Sequence, residues 1–216
     1  MIISEKKTKA MVINFTENFQ FHTRLQLKGQ NVEIVDKMKI LGTIVTNKLN
    51  WDENCKMLIQ KVNNRMQLLR KVWSFGSNTE EMVHLWKVFC RSILEQTCVL
   101  WDSGLTCENR EDLERTQKSF EKLVLEEDYG NYENALKKLN IDSLDTRRKQ
   151  LTLKFAKNSI EDEVLNDLFP KKVTHHKMKK RKGDLFKVNR AFTNRYKNSP
   201  IVTMQRMLNK DHIENL

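Results

Sequence analysis

From residue 50 onward, apolar side chains recur at steps of three and four residues, the spacing that places them on one face of a helix. The first such stretch starts at Asn50, which can cap a helix, and Asp52 and Glu53 follow where negative charge suits the helix dipole. Its apolar positions are Trp51, Cys55, Leu58, Ile59, Val62, Met66, Leu69 and Trp73. The chain has only six Gly and two Pro among 216 residues, so helix breakers are few. The pattern predicts a mainly α fold.

Two overlapping capping boxes in residues 77–81 predict a second helix, which we expect to end near Trp101. Its expected inward side chains are Met82, Trp86, Phe89, Ile93 and Leu94. The four tryptophans recur near helix ends, which favours core positions over base-stacking platforms. A third helix is expected over about residues 108–125, with the ion pairs Glu111–Arg115 and Glu114–Lys118 on its outer face.

Shorter helices are expected after this point. One covers residues 132–139, and another starts after Ser143 and reaches Lys157, with Leu144, Leu151 and Phe155 facing inward. A last turn ends at Phe169-Pro170. Beyond it the periodic pattern fails, so no further helix is predicted.

The N-terminal part has the composition of strands. Residues 11–15 form a short apolar run, and residues 19–27 alternate between apolar and polar side chains. A turn is expected at residues 28–31, followed by strands over residues 32–35 and 40–45, the latter interrupted by Gly42. The pattern predicts a small antiparallel sheet or a hairpin.

Positive charge is concentrated at the end of the chain. Residues 1–75 hold 13 Lys/Arg against 6 Asp/Glu, residues 76–170 hold 13 against 19, and residues 171–216 hold 13 against 3. The three net charges are therefore +7, −6 and +10 within a total of +11. The densest run is Lys179-Lys180-Arg181-Lys182. Such asymmetry predicts a tail that binds nucleic acid or directs nuclear entry, with a solvated, disordered tail as the compatible alternative.

The sequence also limits the cellular compartment in which the protein is expected. No apolar run approaches the roughly 20 residues that a membrane span needs, and residues 1–9 carry charges too early for a signal peptide. The four cysteines include no CxxC pair. We therefore expect reduced thiols in an intracellular protein of the cytoplasm, the nucleus or both.

Clusters of acidic residues and cysteines do not predict a metal site. Glu126-Glu127-Asp128 and Glu161-Asp162-Glu163 are runs in which neighbouring helical side chains diverge by about 100°, so we interpret them as solvated helix ends. Cys90, Leu94 and Cys98 share one helical stripe, for which core packing is the default. A zinc site would need Cys or His at ligand spacing, and His175-His176 is close to no cysteine.

Several segments, taken in order, resemble the reverse transcriptases of mobile elements. Residues 6–14 (KKTKAMVIN) resemble motif D, and residues 38–45 (MKILGTIV) followed by 49–51 (LNW) resemble motif E, the primer grip. Further segments follow in the order seen downstream of the polymerase in non-LTR retrotransposons of the jockey type: 92–96, 99–101, 113–118, 132–136, 143–144 and 147–149. The resemblance covers about residues 4–169, and it depends on the order and spacing of the motifs together.

The resemblance implies roles for particular residues. Lys7 or Lys9 would lie where the family has a lysine that assists the leaving pyrophosphate, and Leu41-Gly42 would be the tight spot of the primer grip. The alternatives are a solvated strand flank and a β-bulge in a hairpin. The first long helix would belong to the thumb, which tracks the duplex backbone, through cations at Lys56, Lys61, Arg65, Arg70 and Lys71. The alternative there is an ordinary solvated face.

The resemblance also implies that something is missing. Reverse transcriptases bind a metal pair through converging carboxylates that include an Asp-Asp turn, and this sequence contains no Asp-Asp pair. We therefore expect a chain that begins just after that turn, without catalytic carboxylates, cofactor or primer extension. Mg²⁺ is expected only in an intact enzyme.

The predicted fold class is mainly α. It consists of a small β-hairpin remnant of a polymerase palm and primer grip (1–48), a thumb-like helical bundle (49–125), short C-terminal helices (126–170) and a basic, disordered tail (171–216). The predicted function is that of a truncated C-terminal part of an RNA-directed DNA polymerase that binds RNA or DNA non-specifically and has no membrane partner. A helical interaction module retained by a host, or a relic without function, remains an open alternative.

Overall fold

The computed structural model describes residues 8–15, 24–171, 185–188 and 190–214. The protein is mainly helical, with short strands in two-stranded pairs. The chain divides into two compact units, residues 1–57 and residues 58–216. Within the described ranges, every helix is too short or too polar to cross a bilayer.

The strands all belong to the first unit: β1 (Lys9–Ala10), β2 (Gln26–Leu27), β3 (Gln30–Asn31), β4 (Glu33–Ile34), β5 (Lys37–Ile40) and β6 (Thr43–Thr46). β2–β3 and β5–β6 are antiparallel, as expected, and β5–β6 pairs Lys37 with Thr46 through Ile40 with Thr43. β1 and β4 are parallel, which corrects the expectation of a purely antiparallel arrangement. The long connection between them allows this pairing, since parallel strands cannot be joined by a tight turn.

The strand expected over residues 11–15 is wrong. Those residues have no regular structure, and Ile13 and Phe15 are about half exposed (48% and 53%). β4 supplies partners only opposite Lys9 and Ala10, so the pairing stops where the apolar run begins. Of the alternating stretch predicted at 19–27, residues 19–23 lie outside the described part of the chain.

The helices, in chain order, are α1 (Asp52–Ser74), α2 (Thr79–Leu85), a π-helical segment (Trp86–Arg91), α3 (Ser92–Glu95), α4 (Cys98–Trp101), α5 (Cys107–Leu125), α6 (Tyr132–Leu139), α7 (Leu144–Glu161), α8 (Asn194–Lys197) and α9 (Pro200–Glu214). The starts predicted at Asn78 and after Ser143 are confirmed by side chains that accept a hydrogen bond from a first-turn N–H, and Asn131 caps α6 in the same way. α7 is longer than expected and continues four residues beyond Lys157, to Glu161.

The second predicted helix is not continuous. It widens into the π-helical segment and breaks at Gln96-Thr97, where Thr97 has a left-handed φ of 51°. The indole N–H of Trp101 donates to the Gln96 carbonyl at 3.0 Å, which satisfies a group that the break leaves without a helical partner. The wide turn keeps Trp86 and Cys90 buried and leaves Phe89 44% exposed, contrary to the expected inward position.

The core of the second unit is built on aromatic and aliphatic side chains. Trp86 stacks on Phe120 with ring centroids 4.7 Å apart, and Trp101 is also fully buried. The core position expected for tryptophan is confirmed for these two. The stripe of Cys90, Leu94 and Cys98 is buried as well, and burial raises the pKa of each thiol to about 11.

The prediction of a disordered tail over 171–216 is wrong for the part that the structure describes. Phe186, Met204 and Leu208 pack in one cluster with Ala156 of α7 and Phe169. The backbone N–H of Phe186 donates to the side chain of Asn209 at 2.8 Å, and the Asn209 amide returns a hydrogen bond to the Phe186 carbonyl at 3.0 Å. The last helix therefore completes the core against α7.

Candidate nucleic-acid interface

The predicted primer-grip turn is a two-residue hairpin loop between β5 and β6. Leu41 and Gly42 have φ values of 48° and 92°, so both occupy the left-handed region, as primed hairpin turns require. The proposed alternative of a β-bulge is wrong, because Ile40 and Thr43 pair directly across the loop. Leu41 is 88% exposed at the tip, which is an unusual place for a leucine.

The structure describes only one of the two candidate motif D lysines. Lys9 lies in β1 and forms an ion pair with Glu33 of the neighbouring β4 at 3.0 Å, with both side chains about half exposed. Its charge therefore has a partner within the strand pair. Lys7 lies outside the described residues.

The cations that lie outside the apolar stripe of α1, together called its basic face, are the strongest candidate for contact with phosphate. Lys61, Arg65, Arg70 and Lys71 lie on this helix in the second unit, and no Asp or Glu occurs between Glu53 and Glu80. Arg65, Arg70 and Lys71 are exposed and Lys61 is half-buried. Within the described part of the chain, none of the four forms an ion pair. Ten residues of helix separate Lys61 from Lys71, a distance of roughly 15 Å.

Neutral hydrogen-bonding side chains occupy the same solvent face. They are Gln60, Asn63, Asn64 and Gln67, all exposed. Beside them, the guanidinium of Arg65 lies 5.8 Å from the ring centroid of Phe89. This contact holds Arg65 by its carbon and π surface while leaving its N–H donors available.

Other cations of the second unit have a different environment, a central ion network formed by Arg110, Arg148 and Lys149 with Asp102, Glu114 and Asp145. Arg148 is fully buried, its Nε donates to Asp102 Oδ1 at 2.7 Å, and its Nη2 lies 3.8 Å from Glu114 Oε1. Arg110 bridges Asp102 and Asp145 at 3.4 and 3.3 Å. Three cations balance three carboxylates, so these groups stabilise one another inside the bundle rather than a ligand.

Glu114 corrects an expectation about the outer face of α5. Instead of pairing with Lys118, it accepts hydrogen bonds from the hydroxyl of Tyr132 and from the backbone N–H groups of Leu144 and Asp145. It thereby caps the start of α7, where a carboxylate is stabilised by the helix dipole. Lys118 lies over the ring of Tyr132 at 4.9 Å. The other predicted pair is also replaced, because Arg115 pairs with Asp112 at 2.7 Å.

One buried carboxyl group forms no ion pair with any residue that the structure describes. Glu121 is fully buried on α5, where the amide of Gln117 donates to it at 3.3 Å. Burial, opposed by that hydrogen bond and reinforced by the charge of Glu114, raises the pKa of Glu121 from 4.5 to about 7. This group titrates near neutral pH, but it faces the core and not a cleft.

The remaining candidates fall into three groups. The tail cations Lys179, Lys180, Arg181 and Lys182 lie outside the described residues. The acidic runs at residues 126–128 and 161–163 are exposed, as interpreted. Across the described ranges, no group of three His, Cys, Asp or Glu is arranged to hold a metal ion.

The network around Arg148 was missed by sequence reasoning. The residues buried along α7 are Leu144, Arg148, Thr152, Ala156 and Ser159, whereas the expected Phe155 is 40% exposed. The step of four from Leu144 through Arg148 and Thr152 to Ala156 was the available signal. No family model, no curated protein and no solved structure matches the chain.

Proposed function

We propose that this chain is the C-terminal part of an RNA-directed DNA polymerase of the jockey type, and that its second unit binds RNA or DNA through the phosphate backbone. The order of motifs supports the descent: a hairpin with a tight Leu41-Gly42 turn leads directly into a long helix with a basic solvent face. That is the order of primer grip and thumb in the family that the sequence resembles.

The absence of ion pairs from the basic face of α1, among the described residues, carries the proposal for binding. A cation with a carboxylate partner must lose that partner before it can engage a phosphate. The cations of α1 have no such partner to lose among the described residues, because the helix has no acidic residue after its first turn. Lysine and arginine side chains in this state are the usual contacts of proteins to the nucleic-acid backbone.

Binding of this kind does not depend on base sequence. Phosphates are spaced regularly along every duplex or single strand, so contacts to them position a protein without reading the bases. The exposed amides of Asn63, Asn64 and Gln67 can donate to phosphate or sugar oxygens beside the cations. We propose that the basic tail residues Lys179 to Lys182 add affinity of the same sequence-independent kind.

Binding is tested with a labelled RNA–DNA hybrid titrated with the full chain. The variant Lys61→Gln/Arg65→Gln removes two cations from α1. The control Lys122→Gln/Lys154→Gln removes the same charge from exposed positions on α5 and α7. We expect the first variant to bind at least about tenfold more weakly at low salt, and the control to lose less than about threefold. Equal losses would show that only net charge matters and would refute the α1 assignment.

The contribution of the tail requires neutral substitutions rather than truncation. Deletion from residue 171 onward would remove Phe186, Met204 and Leu208 from the core cluster and expose Ala156 and Phe169. Changing Lys179, Lys180, Arg181 and Lys182 to Gln removes the charge and keeps α9 in place. The descent is tested separately, by sequencing the transcript upstream of the codon for Met1. An in-frame Asp-Asp turn would support it, and an unrelated reading frame would contradict it.

A further inference from the structure

A second basic feature lies away from α1, in a cleft between the π-helical segment, α6 and the start of α7. We call it the basic cleft and define it by Lys87, Arg91, Lys137 and Arg147. Its volume is about 620 Å³. This lies within the range of pockets that hold small organic ligands, roughly 300–1,000 Å³.

The charge of the basic cleft is not balanced by its own walls. Four cations line it against two carboxylates, Glu133 and Asp142. A cleft of about 710 Å³ beside α5, α7 and α9 offers an internal comparison. There the cations Arg110, Lys149, Arg206 and Lys210 meet four carboxylates, Asp102, Asp145, Asp211 and Glu214. Counted over the lining residues, only the first of these two clefts has more cations than carboxylates, a surplus that an anion would neutralise.

The two arginines of the basic cleft share a single carboxylate. Arg91 Nε lies 3.3 Å and Arg147 Nε 3.1 Å from the same Oε1 atom of Glu95. The Arg91 side chain is only 17% exposed, and its buried Nε–H donates no aligned hydrogen bond to the described residues. Burial lowers the pKa of Arg91, the charge of Glu95 opposes this shift, the charge of Arg147 adds to it, and the charge of Asp142 also opposes it. The two closely placed guanidinium groups thus share one ion-pair partner, Glu95.

The lysines of the basic cleft add to this surplus. Neither Lys87 nor Lys137 forms an ion pair with any residue that the structure describes. The N-terminus of α7 contributes little, because Glu114 accepts from the N–H groups of Leu144 and Asp145, and Ser143 accepts from Thr146. The positive charge of the basic cleft therefore comes from its side chains and not from the helix N-terminus. Leu136 and Ile141 supply an apolar part of the wall.

We propose that the basic cleft binds the phosphate group of a nucleotide, held by Arg91, Arg147 and the two lysines, with the sugar or base against Leu136 and Ile141. Guanidinium groups match phosphate oxygens in geometry as well as charge. The phosphate belongs either to a free nucleotide or to a nucleotide unit of a nucleic-acid chain. The site goes beyond the proposed function of α1, because none of its residues lies on that helix.

The test uses NMR of the full chain, with the side-chain Nε–H resonance of Arg91 assigned by Arg91→Lys. Pyrophosphate, AMP, adenosine and a short single-stranded RNA are titrated separately. We expect a saturable shift of the Arg91 resonance with pyrophosphate and AMP, or with RNA, and no shift with adenosine. A response to RNA alone identifies the phosphate of a chain, and a response to AMP identifies a free nucleotide. Lys87→Gln/Lys137→Gln should weaken the responding ligand about tenfold or more, against less than about twofold for Lys122→Gln/Lys154→Gln.

Three results would overturn the proposal: no shift of Arg91 with any phosphate ligand, an equal shift with adenosine, or equal weakening in both double variants. The variant Lys61→Gln/Arg65→Gln separates this site from α1. If it lowers RNA binding while Arg91 never responds, the basic cleft fails and the function proposed for α1 stands. If Arg91 responds normally and the α1 variant binds RNA like the unchanged protein, the function proposed for α1 fails and the basic cleft stands.

Discussion

The basic face of α1 and the central ion network use the same residue types under opposite conditions. On α1 the cations lie at the surface without ion pairs among the described residues, whereas Arg148 is fully buried between Asp102 and Glu114. Burial makes a partner obligatory, because an unpaired charge inside the bundle would be very unfavourable. An exposed cation, such as those of α1, does not need such a partner. The comparison teaches that pairing, rather than the count of cations, separates the residues that stabilise this fold from those available to a ligand.

The largest effect is expected at the centre of the network. Arg148→Met removes the cation from between Asp102 and Glu114 and leaves both carboxylates without it. Breaking a buried pair from one side destabilises a protein by roughly 3–5 kcal/mol. We expect a loss of this size in the free energy of unfolding, measured by urea denaturation. Arg65→Met on α1 is the matched control, with an expected loss below about 1 kcal/mol. Similar losses in both variants would contradict the distinction between the two regions.

A somewhat smaller effect is expected from Glu121, the buried carboxyl group that forms no ion pair among the described residues. Its pKa of about 7 in the folded protein lies above its ordinary value of 4.5, so the folded chain binds this proton more tightly. The stability from the proton is present below about pH 4.5 and is lost as the pH rises to about 7. The full difference is roughly 3 kcal/mol.

Glu121→Gln should remove that pH dependence. We expect this variant to match the unchanged protein near pH 4.5 and to exceed it at pH 8 by about 2–3 kcal/mol in the free energy of unfolding. Urea denaturation at the two pH values measures the difference. Glu127→Gln, at an exposed position, is the control and should show no gain at pH 8. A gain in the control, or a pH-independent difference for Glu121→Gln, would refute the role assigned to burial.

The smallest effect on stability is expected on α1. Lys61→Gln/Arg65→Gln removes two charges that have no ion pair in the described structure and one contact with the Phe89 ring. The free energy of unfolding should change by less than about 1 kcal/mol. A thermal or urea denaturation curve checks this directly. A larger loss would mean that these cations support the fold, which would remove the reason for assigning them to a ligand.

Much of the helical fold follows from the sequence because the signals are local. The capping residue Asn78 and the break before Ser143 predict the starts of α2 and α7, and the apolar spacing predicts the helix that becomes α6. The break at Thr97 could not be predicted, since no Gly or Pro lies between residues 77 and 103. At the break the indole of Trp101, five residues further on, donates to the Gln96 carbonyl, a contact that no residue pattern in the sequence marks.

The candidate sites divide in the same way. The cations of α1 were identified from sequence because a run of basic residues without acids is a local pattern. The central ion network was not, because Asp102, Glu114 and Arg148 are distant in the chain and meet only through packing. The basic cleft has the same origin, since its cations come from three separate elements. The last helix was missed because the charge of its segment obscured the apolar positions Val202, Met204 and Leu208.

The most direct test of the central claim is the salt dependence of binding to a labelled RNA–DNA hybrid, compared between the unchanged protein and two double variants. Each phosphate contact contributes about 0.9 to the slope of log affinity against log salt for a duplex, so Lys61→Gln/Arg65→Gln should lower the slope by about 2. Lys122→Gln/Lys154→Gln, with the same change in net charge, should leave the slope unchanged. An unchanged slope in the α1 variant, or an equal reduction in the control, would contradict the assignment of phosphate contacts to α1.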